Sequence, residues 1–132
     1  MKEWSKDWIS SKKPNKQRKY RYNAPLHIKQ SFMSVHLSPE LRKKYTMRSI
    51  NLRKGDKVKV LRGQYSKKEG KVSRISLIYG KVFVEGVETI KRDGSKSQYA
   101  LQPSNLMITE LIIDDKRRKN KLGKEEKKES KQ

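Results

Sequence analysis

The middle of the chain alternates apolar and polar residues, which is the pattern of a strand with one buried and one exposed face. Val58 and Val60 alternate with lysines at positions 57 and 59, and Val82 and Val84 alternate with polar or aromatic neighbours. Turns that contain glycine separate these short runs. Residues 51–110 are therefore predicted to be mainly β, as a small barrel or a sandwich.

The run from residue 72 to 78 departs from this alternation. Val72 and Ile75 are both apolar but lie three positions apart, so they would fall on opposite faces of a regular strand. A β-bulge adds one residue to a strand, returns such a pair to the same face and bends the strand. The departure therefore predicts a bulged or strongly bent strand.

Residues 1–50 are predicted to form a basic N-terminal arm that carries two short helices. Its first 23 residues have few aliphatic side chains and no sustained period, so we expect them to fold only on a partner. A capping asparagine and a proline at Asn23–Pro25 precede the first helix. Ser38 can cap the second, whose C-terminal end exposes three cations, Arg42, Lys43 and Lys44.

Residues 111–132 form the third predicted segment, a charged C-terminal extension. Lysine and glutamate dominate it, and apolar spacing does not continue beyond Leu122. Asp114 and Asp115 precede three consecutive basic residues, which is typical of a charge-balanced segment rather than of an acid–base pair. We expect this extension to be a flexible tail when no partner is bound.

The charge of the chain indicates what kind of partner it has. Lysine and arginine number 35 against 14 aspartate and glutamate, a formal net charge of +21 over 132 residues. Solubility alone requires far less, so a polyanion is the expected partner. No run approaches the roughly 20 apolar residues of a membrane-spanning helix. Residues 1–4 also lack the apolar region of a signal peptide, so no membrane insertion is expected.

The sequence offers little for catalysis. It contains no cysteine, and its two histidines, His27 and His36, have no acidic cluster beside them. No nucleophile with a neighbouring base and no carboxylate cluster for a metal stands out. The chain is therefore predicted to be no enzyme and to bind no cofactor, metal or small-molecule substrate. An enzyme that acts on nucleic acid is the least favoured alternative.

The most distinctive local motif runs from Arg53 to Gly63 and continues through residues 69–72 to Ile75. It resembles the KOW motif, in which a strand, a glycine-containing loop and a second strand must each fit the spacing. Gly63 and Gly70 would permit a positive φ or a close approach of the backbone. The cations around this loop would then contact an RNA backbone, although a solvated basic face is the alternative.

The resemblance extends over residues 12–110. Segments 22–27, 36–42, 84–87 and 103–108 look like archaeal and eukaryotic members of the ribosomal large-subunit protein twenty-four family, named twenty-six in eukaryotes. This resemblance implies an SH3-like barrel in a cytoplasmic ribosome, with large-subunit ribosomal RNA and neighbouring ribosomal proteins as partners. It also implies a role early in subunit assembly and a position near the peptide exit tunnel.

One position departs from the family pattern. Relatives often carry a Lys-Gly pair where this chain has Ser66 and Lys67. The loop therefore loses one flexible residue and gains bulk, so its backbone path is expected to differ in detail from that of relatives.

Sixteen residues are predicted to bind RNA. The arm mixes cations with Tyr20 and Tyr22, whose rings can stack on unpaired bases, although a solubilising tail is the alternative. Trp4 and Trp8 lie at helical spacing, which fits either a docking turn or a nonspecific extension. The predicted RNA-binding residues are Lys12, Lys13, Lys16, Arg18, Lys19, Arg21, Arg42, Lys43, Lys44, Arg53, Lys54, Arg62, Gly63, Lys67, Lys68 and Lys71.

A KOW-type transcription elongation factor that binds RNA polymerase is the second hypothesis. Such proteins usually resemble a KOW module attached to a separate α/β domain. Residues 1–50 are too basic and too short in apolar runs to form such a domain. The sequence therefore favours the ribosomal reading.

Overall fold

Eight short strands and four α-helices make up the part of the chain that the computed structural model describes, residues 4, 5, 7 and 11–129. The helices are α1 (Pro14–Asn23), α2 (Leu26–Ser31), α3 (Pro39–Tyr45) and α4 (Lys116–Glu129). The strands are β1 (Ser34–Leu37), β2 (Ser49–Asn51), β3 (Lys57–Val60), β4 (Glu69–Ser76), β5 (Lys81–Val84), β6 (Glu88–Ile90), β7 (Lys96–Gln98) and β8 (Leu106–Glu110). A 3-10 helix at Pro103–Asn105 leads into β8.

Six of these strands form one sheet in the order β2-β1-β8-β3-β4-β5. β1 and β8 pair in parallel, and the other neighbours pair antiparallel. β6 and β7 form a separate hairpin. The prediction of a strand-rich, sheet-based unit is therefore confirmed.

The sheet is open rather than closed into a barrel among the described residues. No pairing joins its two outer strands, β2 and β5. β5 instead forms a single antiparallel bridge between Val82 and Leu101, with hydrogen bonds of 2.9 and 2.8 Å in the two directions. The described pairings therefore support a bent sheet, and they do not include the strand contact that would complete a barrel.

The alternating valines of the middle segment supply the centre of the core. Val58, Val60, Val82 and Val84 are completely buried, as their period of two predicts. Lys57 and Lys59, which alternate with the two valines of β3, remain partly exposed. One buried and one wet face per strand is therefore confirmed for β3.

A register shift between Val72 and Arg74 confirms the predicted bulge in β4. The shift lets Val72 stay buried while Ile75 packs against the same core. Gly70, also on β4, lies against the end of β5 and the residue that follows it, because an added Cβ would clash with the carbonyl oxygen of Glu85 and with the side chain of Val84. Only glycine allows this approach of the two strands.

The predicted division at residue 50 does not coincide with a break in the sheet. β1 precedes this position and β2 spans it, and the two strands add Val35, Leu37 and Ile50 to the same core. The apolar residues of β1 and β2 form runs too short to be distinguished, by their pattern alone, from the ends of the neighbouring helices. Residues 34–51 are thus part of the sheet, although the sequence assigned nearly all of them to the arm.

The arm also contains more structure than predicted. Residues 14–23, expected to fold only on a partner, form α1, in addition to the two predicted helices. The start of α3 is as predicted: the Ser38 hydroxyl accepts a hydrogen bond from the N–H of Leu41 at 3.4 Å, and Pro39 occupies the first turn. A left-handed Thr46 at φ 52° ends this helix.

The expected flexible C-terminal tail is instead a helix that is docked at its start. Arg118 and Leu122 of α4 are one turn apart, and their side chains are 4% and 3% exposed. Leu122 joins the main core, and α4 contacts α3. Four-residue spacing places both side chains on one face of the helix, which seals it against the sheet.

A buried carboxylate fixes this helix to the sheet. Asp56 is fully buried and receives both terminal nitrogens of the Arg118 guanidinium, at 2.8 and 2.7 Å. Its two oxygens also accept the backbone N–H groups of Arg53 at 2.9 Å and Ile112 at 3.1 Å. Arg118 donates further to the carbonyl of Ile112 at 2.8 Å. The pair thus joins the turn before β3, the exit from β8 and α4.

Removing the arginine while the carboxylate stays buried should be strongly destabilising. We expect Arg118→Met to lower the free energy of unfolding by roughly 3–5 kcal/mol, because Asp56 then lacks its counter-charge. Urea denaturation of the purified chain measures this loss. Glu110→Gln is the control: it removes the exposed Lys57–Glu110 ion pair of 2.8 Å and should cost less than about 1 kcal/mol. Equal losses would contradict the importance of the buried pair.

The loop between β3 and β4 holds a lysine in the left-handed region. Lys67 has φ 71°, and its N–H donates to the carbonyl of Val60 at 2.7 Å. This is the position at which the resemblance in sequence implied a glycine in related proteins. The loop therefore keeps a glycine-like backbone path, and the side chain of Lys67 makes that path more costly.

Lys67→Gly should accordingly stabilise the fold. We expect the free energy of unfolding to rise by about 1 kcal/mol, since relief of the left-handed conformation exceeds the extra chain entropy of glycine. Lys68→Gly, at a neighbour outside the left-handed region, should instead lower it by roughly 0.5–1 kcal/mol. Urea denaturation of both variants provides the comparison, and a loss of stability in both would refute the strain at Lys67.

Candidate nucleic-acid interface

The loop between β3 and β4 presents its predicted cations to solvent on a fixed backbone. Arg62, Lys67 and Lys68 are exposed, and Lys71 is exposed on the first half of β4. Gly63 adopts φ 98°, with open space where a side chain would be. Hydrogen bonds from Ser66 N–H to the Gly63 carbonyl at 3.0 Å and from Lys68 N–H to the Tyr65 carbonyl at 3.2 Å hold the turn.

Tyr65 anchors this loop to the rest of the fold. Its hydroxyl donates to the carbonyl of Glu88 at 2.9 Å, and its ring centroid lies 5.1 Å from that of Tyr99. The Lys68 ammonium lies 5.2 Å from the Tyr65 ring. The sequence reading did not single out either tyrosine. Tyr65 thus attaches the cation-bearing loop to the β6–β7 hairpin and to Tyr99.

α1 carries the second group of predicted cations. A single side chain of this helix is buried, Tyr20, whose ring lies 5.0 Å from Trp4 and 6.2 Å from Phe32. The Trp4 indole N–H also donates to the Tyr20 carbonyl at 3.2 Å. Anchoring through one residue leaves the cations of the helix and its cap exposed: Lys12, Lys13, Lys16, Arg18, Lys19 and Arg21.

The two tryptophans of the N-terminus were predicted together. Trp4 packs within the protein, against Tyr20, so it docks on the chain's own helix rather than only on a neighbour. Trp8 lies outside the described residues. The helical pairing of the two therefore stays a prediction.

α3 carries the third group, and its members are not equivalent. Arg42 is half-buried and its Nε donates to the carbonyl of Leu37 at 2.9 Å, whereas Lys43 and Lys44 are exposed. Partial burial lowers the pKa of His36 on β1, and the nearby charges of Arg42 and Arg48 lower it further. The contribution of the two arginines to this lower pKa indicates a positive local field beside β1. Arg48, which contributes to it, was not predicted.

Arg53 and Lys54 precede β3 and have different surroundings. Arg53 forms an ion pair with Asp115 at 2.6 Å, at the entrance to α4. A hydrogen bond from the Arg117 N–H lowers the pKa of Asp115, and the charge of Arg53 adds to this effect. Lys54 is exposed. The Arg53 guanidinium is therefore paired within the protein, just before the C-terminal helix, and differs in this from its neighbour Lys54.

A groove of about 800 Å³ lies between the two N-terminal helices, the β4–β5 turn and the 3-10 helix. Of the predicted RNA-binding residues, Arg21 lines it. Two further residues of the groove were missed, Lys29 on α2 and Tyr79 in the β4–β5 turn. In the sequence, Tyr79 stands directly before Gly80, and this pair was interpreted only as part of a turn.

The described residues contain no group of three or more histidine, cysteine or acidic side chains arranged to hold a metal ion. Within the same part of the chain, no helix has the length and apolar character needed to cross a membrane.

Comparison with known proteins identifies the family. Residues 11–125 match the family model described as ribosomal proteins L26 of eukaryotes and L24p of archaea. The large ribosomal subunit protein uL24 of Methanosphaera stadtmanae is 46% identical over 114 residues, which cover 86% of this chain and 97% of the relative. The uL24 protein of Methanosarcina barkeri is 49% identical over 114 residues, or 86% of this chain and 98% of the relative. The chain therefore belongs to the L26/L24 family of ribosomal proteins, as its resemblance in sequence predicted.

Proposed function

We propose that this protein is a structural constituent of the large ribosomal subunit that binds large-subunit ribosomal RNA without catalysing a reaction. Relatives named large ribosomal subunit protein uL24 match it along nearly their whole length, which supports this role over an elongation factor. The observation that carries RNA binding is the β3–β4 loop, where exposed cations surround a glycine at φ 98°. A fixed cationic loop suits contact with phosphates.

The proposed mechanism of binding is electrostatic and cumulative. Cations of the β3–β4 loop, α1 and the end of α3 neutralise phosphates and release their counterions. Binding the folded RNA more tightly than the unfolded RNA then shifts RNA folding toward the assembled subunit. This mechanism supports a role early in assembly, in the cytoplasm and among neighbouring ribosomal proteins, with a position near the peptide exit tunnel as the family resemblance implies.

The architecture we propose for binding is a KOW-type, SH3-like barrel with a basic extension. The bent strand β4, the close approach at Gly70 and the bridge from β5 to Leu101 support a barrel. Residues 12–31 would be the RNA-binding extension, since they contribute two helices and no strand. The docked start of α4 would close one side of the barrel.

Removing the loop cations should weaken RNA binding and its dependence on salt together. For the triple variant Arg62→Ala, Lys67→Ala, Lys68→Ala, we expect the slope of log affinity against log salt to fall by about 2 to 3, because each lost phosphate contact contributes about 0.7–0.9. Filter binding to transcribed large-subunit ribosomal RNA over a range of KCl concentrations measures this slope.

The matched control removes three exposed cations that lie outside the predicted site. Lys91→Ala, Arg92→Ala, Lys96→Ala in the β6–β7 hairpin changes the net charge by the same amount. Its slope should stay within about 1 of the unmodified protein. Equal slopes for the two triple variants would show that net charge, and not the β3–β4 loop, determines binding.

Cosedimentation tests the ribosomal role in the cell. We expect the protein to migrate with the large subunit in lysate gradients and to remain there after a high-salt wash, because contacts buried between folded RNA and protein are screened by salt much less than exposed ones. Recovery with RNA polymerase or in the free fraction would instead support the elongation-factor hypothesis.

A further inference from the structure

The groove beside the N-terminal helices has a composition that the cations of the proposed RNA site do not explain. We call it the tyrosine groove and define it by Arg21, Tyr22, Lys29, Ile78, Tyr79 and Gln102. It is large enough for a nucleotide, since its volume is about 800 Å³. It combines two N-terminal helices with a hairpin tip more than 50 residues later in the chain.

Two aromatic rings of this groove, those of Tyr22 and Tyr79, are largely exposed to solvent. Tyr22 is 80% exposed and Tyr79 is 79% exposed, and Ile78 beside it is 67% exposed. Large apolar surfaces grouped in a cleft mark a place where another molecule binds. The core of the protein does not use these rings, so their arrangement requires another explanation.

Rigid elements carry both tyrosines. Tyr22 follows Tyr20 on α1, which is anchored between Trp4 and Phe32. Tyr79 lies in the turn between β4 and β5, closed by the pairing of Ser76 with Lys81 and by Gly80 at φ 61°. A tyrosine on an anchored backbone has few torsions left to fix when a partner stacks on its ring, which favours binding.

The charge of the groove selects an anionic occupant. Arg21 and Lys29 line it, and the Lys29 ammonium lies 5.8 Å from the Tyr22 ring. None of the described residues that line the groove is acidic. Gln102 adds an amide that can pair with the edge of a base. Cations beside exposed rings, with a polar group at the rim, match an unpaired nucleotide more closely than they match an acidic peptide.

We propose that the tyrosine groove binds an unpaired nucleotide of ribosomal RNA, whose base stacks on Tyr79 or Tyr22 while its phosphates pair with Arg21 and Lys29. The inference rests on the proposed RNA-binding function and adds the conformation of the RNA that it recognises. A base within an A-form duplex has both faces covered, so it offers no surface to these rings. The groove therefore distinguishes looped-out RNA from helical RNA, which cations alone do not.

Substitution of the tyrosine at the turn provides the first test. With the full chain and transcribed large-subunit ribosomal RNA, we expect Tyr79→Ala to weaken binding roughly 5- to 150-fold, the range for loss of one stacked base. The salt slope should stay unchanged because no phosphate contact is lost. Tyr79→Phe keeps the ring and should bind within about twofold of the unmodified protein.

A matched control separates this effect from a general loss of apolar surface. Ile90→Ala removes an exposed apolar side chain in β6, outside the groove, and should leave affinity unchanged. If the unmodified protein binds the RNA and both Tyr79→Ala and Tyr22→Ala bind equally well, the groove proposal is wrong and the function stands. If the unmodified protein itself does not bind, the proposed function fails, and this inference fails with it.

Ultraviolet cross-linking of purified large subunits tests the identity of the occupant. Tryptic peptides 22–29 and 75–81 contain Tyr22 and Tyr79, and we expect either peptide to carry a covalently attached nucleotide. Nucleotide attachment confined to other peptides would overturn the proposal. Cross-links from these two peptides to a neighbouring protein only would assign the groove to a protein partner instead.

Discussion

The buried carboxylate of Asp56 is the interaction on which the arrangement of the chain depends. It binds two backbone N–H groups and the guanidinium of Arg118, so it connects parts of the sequence 62 residues apart. The desolvation of two charges is offset only because nearly every oxygen and nitrogen of the pair is bonded in good geometry. Apolar residues could have sealed the same space, but they would not fix the orientation of α4 as a forked ion pair does.

A chain of net charge +21 with 32% hydrophobic residues must form a core while it keeps most of its cations exposed. The solution in this protein is to attach each charged helix by very few side chains. Tyr20 alone is buried in α1, while Arg118 and Leu122 attach α4. The cations of α1 remain exposed, as do Lys116, Arg117, Lys119 and Lys121 at the start of α4. Stability and charge display are therefore controlled by different residues, which is what allows the two to be tested separately.

Local patterns predicted the parts of the fold that local physics determines. Alternation at Val58 and Val60 predicted β3, the mismatch between Val72 and Ile75 predicted the bulge, and Ser38 predicted the cap of α3. Residues whose structure depends on distant partners were missed. β1 pairs with β8 in parallel across some 70 residues, and Arg118 is buried because it binds Asp56. No period within either segment contains that information.

The candidate site was likewise predictable only in part. Basic runs predicted which elements carry charge, but the sequence could not separate Arg53, which is held by Asp115, from Lys54 beside it. Nor could it bring Tyr22 on α1 together with Tyr79 at a hairpin tip, because only the folded sheet places them around one groove.

Charge and shape have different consequences for recognition. Contacts between cations and phosphates give affinity for any nucleic acid and carry no information about its sequence or its folding. A ribosomal protein with charge alone would bind unrelated RNA nearly as well as its own site. Selectivity must therefore come from features that respond to RNA conformation, and these need fixed positions more than they need charge.

The β3–β4 loop keeps a left-handed lysine within a hydrogen-bonded turn, and the tyrosine groove holds its rings on anchored elements. Both features maintain geometry at a cost in folding energy or in exposed apolar surface. Such costs are expected to persist in a protein when binding depends on them.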